Sequence, residues 1–447
     1  MRLARVALLL LLATAVGRAA AQRRSTLEER AAAIAALVRP SPGGWEQLFT
    51  REFLAQVPPP RLTAIFMDLH AKYGPVVKTV LVTREQPGAA QFELTLQRGF
   101  SVPLRLVVDA AAPHLVTGLL LGQPVRQAAS LAEVAQLLRA LPGEVSFLAA
   151  RLDGARLEPL ATVNPDRRLA IASGFKLWVL GLLVQDVEAG RRGFGDVIAL
   201  EEQSRSLPSG ILQTWPAGVP VTLHTLATLM ITMSDNTATD QLVRTLGRER
   251  LEQHQARMGH GAPALNVPFL LTQEVFKLEG DPAGAAGPAY LARDVAGRRA
   301  LLAGGVAALR LDRLVLAHRP KARDLKPIEW FASATDLGRA LVWLRDHTGA
   351  PRTAPARALL GISPGTQLAP GRFQYVGYKG GTEPGICSMS YLLQSRRGAW
   401  YVLTAAWNAE RAASDEGQLG ALLTRAAQLL DEPARAGGSG SSRRGGR

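Results

Sequence analysis

The chain has few of the residues that form disulfides or bind metals. Cys387 is the single cysteine among 447 residues, so no intramolecular disulfide can form. The seven histidines are scattered, with no H-x-H or H-E-x-x-H pair, and we predict neither a metal nor a cofactor. Stability must therefore come from a core, which a composition of 47% apolar and 20% charged residues can supply.

Lysine is also scarce, because 45 of the 52 basic residues are arginine and only 7 are lysine. The net charge of +15 does not predict nucleic-acid binding, since the arginines are dispersed and no basic stripe is interleaved with aromatic residues. It fits a soluble surface, with attraction to an anionic cell envelope as the alternative. A lysine retained in such a chain suggests a task that arginine cannot do, because a buried amine can lose its proton and act as a base.

The first 21 residues have the pattern of a signal peptide. Arg2 and Arg5 are followed by an apolar run from Val6 to Val16 and by the small residues Ala19-Ala20-Ala21. The apolar run is too short to span a bilayer comfortably, so we predict cleavage and no stable membrane span afterwards. The pattern predicts export, to the periplasm or the medium.

Residues 25–124 are predicted to form a small α+β domain. Three helical patterns cover 26–38, 45–57 and 61–73, and four β-like runs cover Val76–Thr83, Ala90–Gln97, Phe100–Val108 and His114–Leu121. Gly- or Pro-containing turns between the runs indicate an antiparallel meander packed on helices. This order of elements resembles that of cystatin-like or NTF2-like domains, and the domain has no obvious catalytic cluster.

A second domain is predicted over residues 128–432, followed by a disordered Gly/Ser/Arg-rich tail over 433–447. Asp153-Gly154 predicts a hairpin between two strands near its start, and three further strands lie near its end. The predicted strands are Val145–Leu152, Arg156–Thr162, Phe373–Tyr378, Ser388–Gln394 and Trp400–Trp407. Since 173–345 is mostly helical and a helix follows at about 415–431, we predict a mixed α+β fold with one sheet between helices.

Ser173 and Lys176 form the only S-x-x-K pattern in the chain. Residues three apart share a face of a helix, so the amine can reach the hydroxyl. Phe, Leu and Trp flank the pair, and an apolar setting lowers the pKa of a lysine and suits it to proton abstraction. The alternative is a capping serine beside a lysine that extends to solvent.

Ser234-Asp235-Asn236 follows the helical run Leu223–Met233. The structural interpretation is a polar turn between two helices, because all three residues are good N-caps. In a catalytic interpretation Ser234 relays a proton to a leaving group and the Asn236 amide binds a substrate amide. Asp235 would then hold the turn.

Lys379-Gly380-Gly381-Thr382 follows a predicted strand. The motif is either a Gly-rich strand end or a binding edge. In the second case Lys379 binds a substrate carboxylate, and the glycines let a ligand lie along the strand. A backbone N–H there would complete an oxyanion hole with that of Ser173.

The three motifs, in this order, resemble S-x-x-K, S-D-N and K-T-G of class A β-lactamases and penicillin-binding proteins. Ile231–Ala238 resembles class A sequences beyond the tripeptide, and the likeness covers about 128–432. It implies a five-stranded antiparallel sheet flanked by helices. It also implies a serine hydrolase that opens an amide or ester through an acyl-enzyme, with a β-lactam, an acyl-D-Ala-D-Ala peptide or an ester as substrate.

The resemblance also implies roles for single residues. Ser173 is the nucleophile, Lys176 the general base or its partner and Ser234 the proton shuttle. Asn236 and Lys379 bind the substrate, together with Gly381 and Thr382.

The sequence departs from the family pattern at two places. Position 380 is glycine, so the hydroxyl expected there is absent, and Thr382 is the candidate to supply one. The E-x-x-L-N loop of the deacylating glutamate is also missing, and Glu274 is the nearest candidate, with a solvated carboxylate as the alternative. Without that base the acyl-enzyme would form and hydrolyse slowly.

The sequence thus leaves several functions open. β-Lactam hydrolysis is the leading activity, and a D-Ala-D-Ala peptidase, an esterase or a non-hydrolytic β-lactam-binding protein are the alternatives. The segment Gly280 to Trp330, longer than the family needs, is predicted to reshape the pocket.

Overall fold

A computed structural model describes residues 26–122, 124–315, 328–363, 365, 368, 372–409 and 416–430. The predicted signal peptide and the tail over 433–447 lie outside these ranges. The chain divides into two compact units between Ala129 and Ser130. Within the described ranges, no helix has the length and apolarity needed to cross a bilayer.

The first unit is a set of helices followed by an antiparallel sheet with strand order β1-β2-β3-β4, in which β5 pairs with β3. Its elements are α1 (26–36), α2 (Trp45–Leu48), α3 (Arg51–Gln56), α4 (Pro59–Tyr73), β1 (Val76–Gln86), β2 (Ala89–Leu96), β3 (Phe100–Val108), β4 (Val116–Leu121) and β5 (Val125–Arg126).

The helix predicted over 45–57 is two short helices. Phe49 is extended, and the Thr50 side chain accepts a hydrogen bond from the Phe53 N–H and starts α3. The core of this unit contains Leu62 and Phe66 of α4 and Phe92 of β2. The likeness to cystatin-like or NTF2-like domains stays a prediction.

The second unit has one antiparallel sheet with strand order β12-β13-β14-β6-β7. The five strands are β6 (Glu144–Asp153), β7 (Arg156–Val163), β12 (Phe373–Glu383), β13 (Ile386–Ser395) and β14 (Trp400–Asn408). Two short strand pairs are β8 (Leu169–Ala170) with β11 (Phe331–Ala332), and β9 (Val197–Ala199) with β10 (Pro220–Thr222). The predicted fold class, a five-stranded antiparallel sheet with helices, is confirmed.

The helices of the second unit precede, interrupt and follow this sheet in sequence. They are α5 (Leu131–Arg139), α6 (Lys176–Glu188), α7 (Leu223–Thr232), α8 (Asn236–Leu246), α9 (Arg248–Arg257), α10 (Thr272–Gly280), α11 (Ala286–Leu291), α12 (Val295–Leu301), α13 (Ala334–His347), α14 (Ala354–Leu360) and α15 (Glu416–Leu429). All residues of α6 except Gln185 and Glu188 are buried, so it is the central helix of the core.

The β6–β7 hairpin turns one residue later than predicted. Asp153 still pairs with Arg156, and Gly154 and Ala155 form the two-residue turn. Gly154 has a φ of 54°, a left-handed conformation that glycine adopts without strain.

The segment that leads into Ser173 is fastened to the sheet by buried side chains. Asn408, at the end of β14, accepts a hydrogen bond from the Ala170 N–H (3.0 Å) and donates one to the Ala170 carbonyl oxygen (2.9 Å). The Ser388 hydroxyl of β13 donates to the Ile171 carbonyl oxygen (2.6 Å). Because Ala170 and Asn408 are 1% and 4% exposed, water does not replace these bonds.

We therefore expect Asn408→Ala to destabilise the second unit by about 2–3 kcal/mol, because it leaves a buried N–H and a buried carbonyl without their side-chain partner. Urea unfolding of the full chain measures the change. Gln374→Ala, at an exposed position of β12, is the control and should change stability by less than about 0.5 kcal/mol. An Asn408→Ala protein as stable as this control would contradict the anchoring role.

Candidate active site

Ser173 lies on a short 3-10 turn, Ala172–Phe175, which leads directly into α6 at Lys176. The Lys176 N–H donates to the Ser173 and Gly174 carbonyl oxygens, so Ser173 and Lys176 lie within one helical turn, as the S-x-x-K pattern predicts. Ala172 has a φ of 45°, an uncommon left-handed conformation for a residue with a Cβ. Such strain persists only where the surroundings hold it, here the bonds from β13 and β14.

The Lys176 amine is buried and bonded to the S-D-N motif. Its Nζ donates to the Ser234 carbonyl oxygen (2.6 Å) and to Asn236 Oδ1 (2.7 Å), and it lies 3.1 Å from Ser234 Oγ. Burial lowers the pKa of Lys176 well below its usual range, and the charge of Lys379 lowers it further, against the opposing charge of Asp240. A neutral amine has two N–H donors, which these two acceptors use, and its lone pair stays available to accept a proton.

The Ser234-Asp235-Asn236 turn connects α7 to α8 and is held by Asp235. The Asp235 carboxylate accepts hydrogen bonds from the N–H groups of Ala238 (2.8 Å), Ile211 (2.6 Å) and Leu212 (2.9 Å). Ser234 has a φ of 55°, so three bonds to its neighbour fix an otherwise unfavourable backbone. The turn is thus an interhelical cap, and it also presents Ser234 to Lys176.

Asn236 has its amide turned partly inward. Its Oδ1 accepts from Lys176, and its Nδ2 donates to the Leu207 carbonyl oxygen (3.0 Å). One amide hydrogen remains for a ligand, and the residue lines the cavity described below.

Lys379 approaches the same serine from β12. Its Nζ lies 3.1 Å from Ser234 Oγ and donates to the Gly380 carbonyl oxygen. The residue is 3% exposed, and burial lowers the pKa of Lys379 to about 7, against the opposing charge of Glu416. Two lysine amines, 203 residues apart in sequence, thus meet at one hydroxyl oxygen.

Gly381 lets β12 lie directly against the Ser173 turn. A Cβ at this position would lie 2.4 Å from the Ile171 carbonyl oxygen, 2.5 Å from the Ser173 nitrogen and 2.7 Å from the Gly174 nitrogen. Any side chain would therefore force the strand and the turn apart. β12 is an edge strand of the sheet, and its residues 378–383 line the same space as Ser173.

Most of the predicted site residues line one cavity of about 510 Å³. Its walls include Ser173, Ser234, Asn236, Lys379, Gly381 and Thr382. Lys176 is fully buried and reaches the cavity through its bonds to Ser234 and Asn236. The structure therefore places the three motifs in one site.

One wall of the cavity is apolar and was not predicted. Phe175 stacks on Trp330 with ring centroids 3.8 Å apart, and Ile231, Val275 and Phe276 also line the space. Trp330 ends the long segment that begins at Gly280, and it is the residue by which the described part of that segment reaches this cavity. The only indication of this wall in the sequence was the apolar residues next to Ser173 and Lys176.

The structure does not bring Glu274 to Ser173. As the third residue of α10, it accepts a hydrogen bond from the Leu271 N–H (2.8 Å) and forms an ion pair with Arg248 (2.6 Å). It lines a different cavity of about 840 Å³, with Arg248 and Lys277. The helical period explains this, because α10 turns Thr272, Val275 and Phe276 toward the Ser173 cavity and Glu274 away from it.

Besides Glu274, the structure shows a buried carboxylate near the start of α10, that of Asp240, which the sequence did not predict. It is fully buried and accepts hydrogen bonds from the N–H groups of Thr272 (2.7 Å) and Gln273 (3.0 Å), which ties α8 to the start of α10. Burial raises the pKa of Asp240 to about 7, although these N–H groups oppose the rise. No motif marks it, since its partners lie more than 30 residues away.

Among the described residues, no group of acidic, cysteine and histidine side chains is arranged to hold a metal.

The fold and the three motifs of the second unit resemble those of serine β-lactamases and penicillin-binding proteins. Residues 130–305 match the model of the Beta-lactamase enzyme family. No curated protein matches the chain.

Several solved structures are similar to this chain over about two thirds of its length. PBP-A, determined as an L158E acyl-enzyme complex with penicillin G, is 16% identical over 66% of this chain and 94% of that chain, with a TM-score of 0.46. A β-lactamase from Sphaerobacter thermophilus is 20% identical over 67% and 96%, with a TM-score of 0.47. One from Desulfarculus baarsii is 19% identical over 68% and 100%, with a TM-score of 0.48. At these identities the neighbours assign no activity to this chain.

The close approach at Gly381 generates a prediction. Gly381→Ala should displace the Ser173 turn, destabilise the second unit by about 1–3 kcal/mol and lower covalent labelling of Ser173 by a serine-reactive probe at least tenfold. Urea unfolding and mass spectrometry of the labelled protein measure the two effects. Gly195→Ala is the control, because a Cβ there meets nothing within 4 Å. Normal labelling of Gly381→Ala would show that strand and turn need not touch.

Proposed function

We propose that the second unit is a serine hydrolase that acts through an acyl-enzyme on Ser173. The observation that carries the proposal is the buried Lys176 amine, one helical turn from Ser173 and bonded to Ser234 and Asn236. A desolvated amine of lowered pKa is the group that can take a proton from a serine hydroxyl near neutral pH.

In the proposed reaction the Ser173 hydroxyl oxygen attacks the carbonyl carbon of an amide or ester. Its proton passes to the lone pair of Lys176, and the oxyanion accepts hydrogen bonds from the Ser173 N–H and a backbone N–H at the Gly381–Thr382 end of β12. Ser234 Oγ, 3.1 Å from both lysine amines, then delivers its proton to the leaving nitrogen or oxygen and takes a replacement from the Lys176 ammonium. Water later hydrolyses the ester on Ser173.

The Lys379 ammonium favours a substrate that carries a carboxylate beside its reactive carbonyl, although Glu383 and Glu416 line the same cavity. Lys379 borders the cavity, and below pH 7 it carries a positive charge. Phe175, Trp330 and Phe276 form an apolar wall for the acyl side of the substrate. A β-lactam has this combination, and so do an acyl-D-Ala-D-Ala peptide and an ester of similar shape.

Among these activities, the position of Glu274 favours slow release of the acyl group. The part of α10 that faces the cavity consists of Thr272, Val275 and Phe276, none of which can activate water as a carboxylate does. The carboxylates that line the cavity, Glu383 and Glu416, belong instead to the end of β12 and the start of α15. We therefore propose a penicillin-binding protein of the peptidase or esterase type, in preference to an efficient β-lactamase. Export to the periplasm or the medium, predicted from residues 1–21, belongs to the same proposal.

The test is to mix the purified protein with a fluorescent penicillin and with a chromogenic cephalosporin. We expect one covalent label per chain that survives for minutes, and little cephalosporin turnover. Ser173→Ala should abolish the label, whereas Ser363→Ala, at another cavity serine, should keep it. Glu274→Gln keeps an acceptor for the Leu271 N–H and should leave the lifetime of the label unchanged.

Each contrary outcome removes a defined part of the proposal. Absence of both label and turnover would refute acylation by β-lactams. Rapid cephalosporin turnover would refute slow release, and a longer-lived label in Glu274→Gln would return Glu274 to the mechanism.

The pKa of Lys379 leads to a pH prediction. Because Lys379 loses its charge as the pH rises through about 7, the second-order rate constant for labelling by a penicillin should fall above pH 7. A neutral ester has no carboxylate and should not show this fall. Lys379→Arg stays charged, so its labelling by the penicillin should not decline between pH 7 and 9. Parallel profiles for the two probes would show that Lys379 does not bind a carboxylate.

A further inference from the structure

The related motif has a hydroxyl side chain at position 380, where this chain has glycine. Tyr378, two residues earlier, carries a hydroxyl that lies close to this position. Tyr378 and Gly380 lie on the same face of β12, because side chains alternate along a strand. A Cβ at Gly380 would lie 2.0 Å from Tyr378 Oη and 2.7 Å from Tyr378 Cζ. The phenol oxygen therefore occupies the space that a side chain at 380 would fill.

The Tyr378 ring is fixed in this position from several sides. It packs against Tyr391, its partner on β13, with ring centroids 4.7 Å apart. On another side is Gly365, where a Cβ would lie 2.5 Å from Tyr378 Cε1 and Cζ. The glycines at 365 and 380 thus both make room for one aromatic ring, which is held with little freedom to rotate away.

Tyr378 lines the cavity together with Lys379, Ser363 and Glu416. Its hydroxyl makes no hydrogen bond to any residue in the described ranges. Burial raises the pKa of Tyr378 above its ordinary value, so the phenol stays protonated and can donate.

Tyr375, on the same strand, differs from Tyr378 because its hydroxyl has a hydrogen-bond partner. A Cβ at Gly377 would lie 2.7 Å from Tyr375 Oη, so the spacing from tyrosine to glycine is the same. However, the Tyr375 hydroxyl donates to the Arg357 carbonyl oxygen (2.8 Å), and the residue does not line the Ser173 cavity. Tyr375 is thus structural, while Tyr378 holds an unused donor at the site.

We propose that Tyr378 is the hydroxyl donor to the substrate carboxylate, beside Lys379 and in place of the missing side chain at 380. This inference rests on the proposed acyl-enzyme function. It assigns to Tyr378 the part that the sequence analysis gave to Thr382, which is exposed at the next position on the same face. A donor carried on a ring held between backbone segments would also select the position of the carboxylate more strictly than a freely rotating threonine.

The test compares a fluorescent penicillin, which has a carboxylate, with a neutral p-nitrophenyl ester. Tyr378→Phe should lower the second-order rate constant for the penicillin about tenfold, the effect of losing one hydrogen bond to a charged group, and change that for the ester less than twofold. Tyr375→Phe is the control and should change the penicillin constant less than threefold. Thr382→Val measures what the alternative hydroxyl contributes. Thermal unfolding checks that each variant folds.

A second pair of variants tests whether the phenol occupies the space at 380. Gly380→Thr should lower the Tm and the penicillin constant, because its side chain collides with Tyr378. Tyr378→Ala combined with Gly380→Thr should recover both, since the hydroxyl then arises from position 380 itself.

The outcomes separate this inference from the proposed function. If the unaltered protein is not labelled by penicillin, the proposed function fails and the inference fails with it. If it is labelled, a penicillin constant for folded Tyr378→Phe within twofold of normal, or an equal loss for both probes, refutes only the role of Tyr378. A tenfold loss in Thr382→Val instead would assign the donor to Thr382, and a Gly380→Thr protein that is stable and fully active would show that the space is free.

Discussion

The burial of one amine is the constraint around which the second unit is organised. Lys176 lies in the central helix of the core, and an unpaired charge there would be strongly unfavourable. The chain meets this constraint with a carbonyl oxygen from Ser234 and an amide oxygen from Asn236, both on a turn that Asp235 fixes. These oxygens make the amine tolerable in the core, and its burial makes the neutral form the stable one. A packing requirement and a chemical property thus have a single cause.

The main features of the fold were predictable because local patterns in the sequence determine them. Alternating apolar residues and turn residues indicated the five strands of the second unit, and the order of strands and helices indicated a single sheet. The errors are local as well. The hairpin turns at Gly154-Ala155 because glycine is needed at the first turn position, and the helix predicted over 45–57 is divided where Phe49 becomes extended. Helical periodicity alone does not register a single extended residue.

The motif residues of the site were predictable, and the rest of its surroundings were not. S-x-x-K and S-D-N are short patterns whose members lie within one turn of each other, so sequence spacing describes their geometry. The stacking of Phe175 on Trp330 and the bonds from Asp240 to the start of α10 connect residues that are distant in sequence, and no spacing rule predicts them. Glu274 was chosen because it followed S-D-N at a suitable distance, whereas its direction depends on how α10 is rotated.

The meeting of two lysine amines at Ser234 Oγ links ligand binding to proton uptake. Burial lowers the pKa of both amines, and the charge of Lys379 lowers that of Lys176 further, so near neutral pH the pair holds fewer protons than two exposed lysines would. An anionic ligand beside Lys379 stabilises the charged form of that amine and raises its pKa. Above pH 7, such a ligand would therefore bind together with a proton drawn from the solvent, and the site would behave as a receptor for the acid rather than for its anion.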